Sequence, residues 1–314
     1  MKTYLVVVTA IFLFFSLSNG AEPINELLKI EANPAAGFNW DYYLYIPYQK
    51  TAQSDSTAIL IMPNNSGTVS DDLKFHEQKA LRQLNNNRDF GDQLGVVLLM
   101  PIFPRSESES MVYTHALDRD VMLIKEGQLK RLDLQLIAMV EHARKFLAEK
   151  KIKTRAKLLM FGFSAAGMFT NRFVLMHPDL VKAAVVGSPG GWPLAPIAEY
   201  ENTTLRYPVG IADLENICGK KFDETKFRQV KIFFFLGDED ENDSVIYDDS
   251  YDEPERKVIM DLFGPTPVSR WGIAEKLYQQ VSDNCQFQLY EGIGHSINGK
   301  MWQEIKSFLN DALE

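Results

Sequence analysis

The sequence predicts an α/β sandwich, a mostly parallel sheet with helices on both faces, and three observations lead there. Short apolar runs recur along the chain, helical patterns lie between them, and the runs are apolar throughout instead of alternating with polar residues. A strand covered on both faces needs apolar side chains on both, and a parallel neighbour is reached only through a crossover, usually a helix.

The runs are "DYYLYIP", "TAILIMP", "GVVLLMPIF", "AKLLMFG", "VKAAVVGSP", "VKIFFFLGD" and "CQFQLYEG", each short and rich in β-branched, leucine or aromatic residues. Helical periodicity is expected over 131–150, 168–177, 269–282 and 301–313. No internal repeat, Ser/Gly linker or low-complexity tract divides residues 21–314, so they are expected to form one domain. The segment 193–227 carries little helical pattern and is a candidate lid, or a piece packed against the sheet edge.

The first residues, "MKTYLVVVTAIFLFFSLSNGAEP", combine Lys2, an apolar core of roughly fourteen residues and small residues before Ala21, the layout of a secretory signal peptide. The run is shorter than the ~20 residues of a spanning helix, so residues 1–20 are expected to be removed on export, with no membrane anchor left. That takes away Lys2 alone and moves the net charge from −9 to −10. An acidic balance argues against nucleic acid or anionic membranes as partners. In an exported chain, Cys218 and Cys285 are expected to form one disulfide. The sequons at Asn64, Asn202 and Asn242 would matter only in a eukaryotic secretory route.

In "KLLMFGFSAAG" one serine falls between an apolar strand and a helical pattern. A strand that turns sharply into a helix forces its central residue into strained backbone, and bulky side chains two positions away would collide there. Gly162 and Ala166 occupy those positions, so Ser164 is a candidate nucleophile and the amide of Ala165 a candidate oxyanion donor. The other reading is a packing turn with an inert hydroxyl.

Serine chemistry at neutral pH needs a base, and the base needs a carboxylate. His76, His142 and His177 lie in helical or polar stretches suited to surface or packing roles. His295, in "LYEGIGHSING" after the last strand, is the preferred base, and His115, in "VYTHALDRD", is its competitor or a substrate-binding group. The acid should follow "VKIFFFLGD". Asp240 is favoured over Asp243 and Asp238, because three residues beyond Gly237 it has room to reach an imidazole. The acidic run 238–255 otherwise reads as a solvated loop; it matches no EF-hand spacing, and no metal is expected. A second oxyanion donor is expected from the amide of Asn65, with Asn64 next, in the "PNNSG" loop after an early strand. Trp192, in "GSPGGWPLAP", offers an apolar wall for substrate or a buried structural ring, and Asp118 and Arg119 either bind a polar substrate or form a clip.

Taken together, "YTHALDRD", "RLDLQLIAMVEHAR", "GFSAAGMFTNRF", "GSPGGWPLAP" and "GIGHS" resemble the α/β-hydrolase superfamily, and within it secreted esterases like the polyhydroxybutyrate depolymerases. The resemblance implies an α/β-hydrolase fold with an eight-stranded sheet, and serine, acid and histidine in the chain order Ser164, Asp240, His295. It also implies esterase-type chemistry; the expected function is hydrolysis of a small or polymeric ester through an acyl-enzyme without a cofactor, with a peptidase or amidase, or a non-catalytic binding protein on the same scaffold, as alternatives. The oxyanion loop departs from the family pattern, with "PNNSG" standing where a histidine-glycine pair is usual.

Overall fold

A computed structural model of the chain describes residues 26–48 and 56–314; the expected signal peptide lies outside the described residues. The strands are β1 (Glu26–Ile30), β2 (Tyr42–Ile46), β3 (Ile59–Ile61), β4 (Val97–Pro101), β5 (Leu158–Phe163), β6 (Val181–Gly187), the short hairpin β7 (Glu199–Tyr200) and β8 (Thr203–Thr204), β9 (Lys231–Gly237) and β10 (Cys285–Tyr290). Eight of them form one sheet in the order β1-β2-β4-β3-β5-β6-β9-β10. Strand β2, next to the edge strand β1, runs antiparallel to both its neighbours, and every pairing from β4 to β10 is parallel.

Why the strands are apolar throughout is visible in β9. Ile232, Phe234 and Leu236 enter one core layer, and Phe233 and Phe235 enter the other, so neither face meets water. The first layer is closed by α4 (Leu132–Glu149) and α5 (Ala165–Met176), through residues such as Leu136, Met139, Phe169 and Phe173. The second is closed by α1 (Leu73–Asn86), α2 (Arg88–Leu94) and α10 (Gly299–Leu313), through Leu84, Phe90 and Ile305. Between these lie α3 (Arg119–Leu123), α6 (Leu214–Cys218), α7 (Glu224–Phe227), α8 (Glu253–Phe263) and α9 (Pro267–Gln279).

One expectation changes here. Cys218 and Cys285 are both free and both buried. Cys218 ends the short α6 and donates to the Lys220 carbonyl at 3.3 Å, whereas Cys285 opens β10, where burial pushes its thiol up to about 12. Each thiol is packed as a small apolar group rather than poised to pair. The segment 193–227 is anchored, with Leu194, Tyr207, Leu214 and Phe227 in the first core layer and Leu205 and Val209 in a third cluster with α8 and α9.

A buried polar knot ties α4 to the end of α5. Asp133 is fully buried; it accepts from Arg131 through Nε at 2.8 Å and Nη2 at 2.7 Å, and from His177 Nε2 at 2.8 Å. Burial alone would raise its pKa, but the Arg131 fork and the His177 bond prevail and hold the carboxyl at about 2, below its ordinary 3.8. The unfolded chain therefore binds more protons between these values. Stability from this group is complete above about pH 4 and is lost as the pH falls through about 2, a step on the order of 2 kcal/mol. Urea melts from pH 5 to 2 should show this step in the wild type, and Asp133→Asn should abolish it while costing about 3 kcal/mol at pH 7.

Candidate active site

Ser164 is the single residue between β5 and α5, with φ 60° and ψ −128°. Its amide donates to the Gly187 carbonyl at 2.9 Å and its carbonyl accepts from Met168 N at 3.0 Å, so the strained turn is bonded on both sides. The space requirements differ in one respect from those read in the sequence. A Cβ on Gly162 would lie 2.0 Å from the Ala166 carbonyl oxygen, and one on Gly167 would lie 2.5 Å from the Gly187 carbonyl oxygen. Position 166 tolerates its methyl group, and the second close approach falls on Gly167. The result is a partly exposed hydroxyl at the carboxyl edge of the sheet, at the N-terminus of a twelve-residue helix whose first amide belongs to Ala165.

The segments leaving β9 and β10 are zipped together. Asp238 N donates to the Tyr290 carbonyl at 3.0 Å, Glu239 N to the Ile293 carbonyl at 3.0 Å, and Gly292 N to Asp238 Oδ1 at 2.8 Å. Gly237 permits this approach, because a Cβ there would sit 1.9 Å from the Ile293 oxygen. Out of this junction come Asp240 and His295. The imidazole Nδ1 lies 2.9 Å from Asp240 Oδ2 and 3.1 Å from Oδ1, and the ring rests on Phe163 with centroids 4.7 Å apart.

Burial opposes ionisation of Asp240, but the His295 bond, the neighbouring Ser188 hydroxyl and the Asn242 amide outweigh it and hold the carboxyl below its ordinary value. An ionised carboxylate only accepts, so Nδ1 carries the proton and Nε2 presents its lone pair. Asn242 Nδ2 meets that lone pair at 3.3 Å. Asn242 and Ser164 line one cavity of about 300 Å³ with Asn65, Arg105, Tyr113 and Asp249. No hydrogen bond joins Ser164 Oγ to His295 among the described residues.

The other two aspartates have different employment. Asp238 fixes Gly292, and Asp243 is buried, accepting from Val245 N at 3.0 Å and from the fully buried Arg270 Nη1 at 2.9 Å.

Several expected site residues have other bonding partners. The Asn65 amide is not free for an oxyanion, because it donates to Gln83 Oε1 at 3.1 Å. Asn64 is buried, its side chain donating to the Phe103 carbonyl at 2.9 Å and accepting from Phe103 N at 3.1 Å, which leaves no room for a glycan. His115 is not in the cavity wall: it is fully buried and donates from Nε2 to the same Phe103 carbonyl at 2.8 Å. Burial holds its imidazole neutral, at about 3. Trp192 is also structural, stacked on Phe263 at 4.0 Å with its Nε1 on the Val209 carbonyl at 2.9 Å. Asp118 caps α3 through Val121 N at 3.0 Å, and Arg119 holds Asp213 at 2.8 Å.

Arg105, Tyr113 and Asp249 were not singled out in the sequence, and Asn242 was noted there only as a sequon. Arg105 and Asn242 do follow strands, the one general signal that marks them. Among the described residues no group of His, Cys, Asp or Glu is arranged to hold a metal ion.

The division of labour among the aspartates is measurable. Asp243→Asn strips the buried Arg270 of its counter-charge and should lower stability by about 3 kcal/mol in denaturant melts. Asp238→Asn, at an exposed position, should cost less than about 1 kcal/mol.

No family model matches the sequence, and no curated protein matches it. Solved structures do. The chain is similar to the poly(aspartic acid) hydrolase-1 of Sphingomonas sp. KT-1, with a TM-score of 0.60 and 18% identity over 91% of this chain and 98% of that one. It is also similar to LpqC, a poly(3-hydroxybutyrate) depolymerase from Bordetella parapertussis, with a TM-score of 0.55 and 19% identity over 91% of this chain and 90% of that one. With the strand order and the strand-serine-helix turn described above, these likenesses establish that the chain has the α/β-hydrolase fold.

Proposed function

We propose that the protein is a serine hydrolase that cleaves carboxylic esters through an acyl-enzyme, acting outside the cytoplasm after removal of residues 1–20. The observation that carries the reading is the strained Ser164 at the carboxyl edge, sharing a cavity with the Asn242 that caps His295 Nε2. In this reading an ester displaces Asn242, and Nε2 takes the proton as Ser164 Oγ attacks the carbonyl carbon. Asp240 keeps the imidazole in the required tautomer and stabilises the imidazolium. The Ala165 amide, reinforced by the helix dipole, holds the oxyanion. We assign no role of this kind to Asn65, whose amide is engaged by Gln83. The imidazolium then returns its proton to the leaving alcohol, and a water repeats the sequence on the acyl-enzyme.

A fluorophosphonate probe tests the nucleophile. Intact-mass analysis should show one adduct on the wild type and none on Ser164→Ala, and Asp240→Asn should fold normally yet lose on the order of 10⁴ in kcat. An unlabelled, well-folded wild type would instead indicate a binding protein on this scaffold. Export has its own readout: N-terminal sequencing of the mature protein should begin at Ala21.

A further inference from the structure

The cavity beside Ser164 is lined mainly by amides and hydroxyls, and among the described residues that line it Arg105 is the one cation. Arg105 is only 8% exposed. It is set in place from three directions: its carbonyl accepts from Ser70 N at 2.9 Å, its guanidinium lies 3.6 Å over the Tyr113 ring, and Nη2 reaches Asp249 Oδ2 at 2.5 Å. Its Nε is buried and has no acceptor among the described residues. Buried guanidinium groups ordinarily satisfy such donors, and an edge of the fork fits a carboxylate with two parallel bonds. Asp249 takes one nitrogen, is more exposed than its partner at 24% against 10%, and sits near Tyr247, itself largely open to solvent. The pair thus joins a fixed cation to a more exposed carboxylate, whose second oxygen accepts, among the described residues, only from the neighbouring Ser250 Oγ at 3.2 Å.

A long apolar acyl chain finds little to bind here. A larger cleft of about 540 Å³ is lined by Trp40, Leu73, Ile124 and Leu129, and Ser164 does not line it. We propose that Arg105 recognises a carboxylate on the substrate, sharing or displacing Asp249, so that the preferred esters carry a carboxylate within a few atoms of the bond that is cleaved. The inference rests on Ser164 being the nucleophile and adds the class of substrate. Arg105 is a specificity residue in this scheme and takes no part in proton transfer.

The test compares matched esters that differ in one charge. Mono-4-nitrophenyl glutarate against 4-nitrophenyl pentanoate places the carboxylate on the acyl side, and 4-acetoxybenzoate against its methyl ester places it on the leaving side. In at least one pair the wild type should favour the anion in kcat/KM. Arg105→Gln should lower that anionic-to-neutral ratio about 10- to 100-fold, the range expected for a lost charge-assisted hydrogen bond. Arg105→Lys, which keeps the charge and loses the fork, should fall between. Asp249→Asn should raise the ratio about threefold by freeing the guanidinium, a change of sign that a merely structural clip would not produce. A ratio unmoved in both Arg105→Gln and Asp249→Asn, or no anionic preference in either pair, overturns the proposal while leaving labelled Ser164 as a nucleophile. If no ester is turned over, calorimetric titration of Ser164→Ala with glutarate decides it. Binding weakened tenfold or more by Arg105→Gln supports the assignment, and no binding at millimolar glutarate overturns it.

Discussion

A residue with a side chain costs about 1–3 kcal/mol to hold at positive φ, and the fold holds Ser164 there because β5, α5 and β6 approach one another more closely than side chains allow. Gly162 lets the first turn of α5 fall back on β5, Gly167 lets the helix touch β6, and the Gly187 carbonyl takes the serine amide. Gly187 itself lies under the Phe235 ring, where a Cβ would come within 2.2 Å. The strain is therefore enforced by the hydrophobic packing of the sheet, not by the loop that displays it. Its consequence is a hydroxyl lifted clear of the strand ends with a helix N-terminus behind it.

The second half of the site obeys a similar logic from the other side. Backbone bonds between the β9 and β10 exits bring Asp240 and His295 together without demanding that either loop be buried whole. Phe163, the residue before the serine, supports the imidazole ring, and Asn242, which meets that ring at Nε2, lines the cavity beside Ser164. Asn242 Nδ2 lies 3.3 Å from His295 Nε2, the position that substrate takes in the proposed mechanism. The lining of the cavity beside Ser164 also brings together a buried cation, Arg105, and a more exposed anion, Asp249, the pair on which the proposed preference for a polar substrate rests.

Most of the sheet was legible because a strand buried on both faces is written as an unbroken apolar run, and seven such runs became β2 to β6, β9 and β10. The run "ELLKI" of β1 escaped because an edge strand is only half covered. Helix α8 escaped because it begins inside an acidic stretch that reads as solvated loop, though its Ile259 and Phe263 are buried. Ser164, Asp240 and His295 were picked by their position after strands, which is a property of chain order. The rest depends on partners that no local pattern encodes. Asn65 loses its amide to a glutamine eighteen residues away, His115 and Trp192 are polar-tipped rings that bond backbone carbonyls in the interior, and the two cysteines pack into the core as thiols. Arg105 and Asp249 are 144 residues apart, and only the tertiary fold makes them a pair.

The most direct measurement is a crystal structure of the phosphonylated protein. The account predicts phosphorus bonded to Ser164 Oγ, its anionic oxygen on the Ala165 amide, His295 Nε2 within about 3 Å of the serine oxygen, and Asn242 turned away from the ring. Phosphorus on another residue, or His295 still capped by Asn242 and out of reach of Ser164, would contradict it.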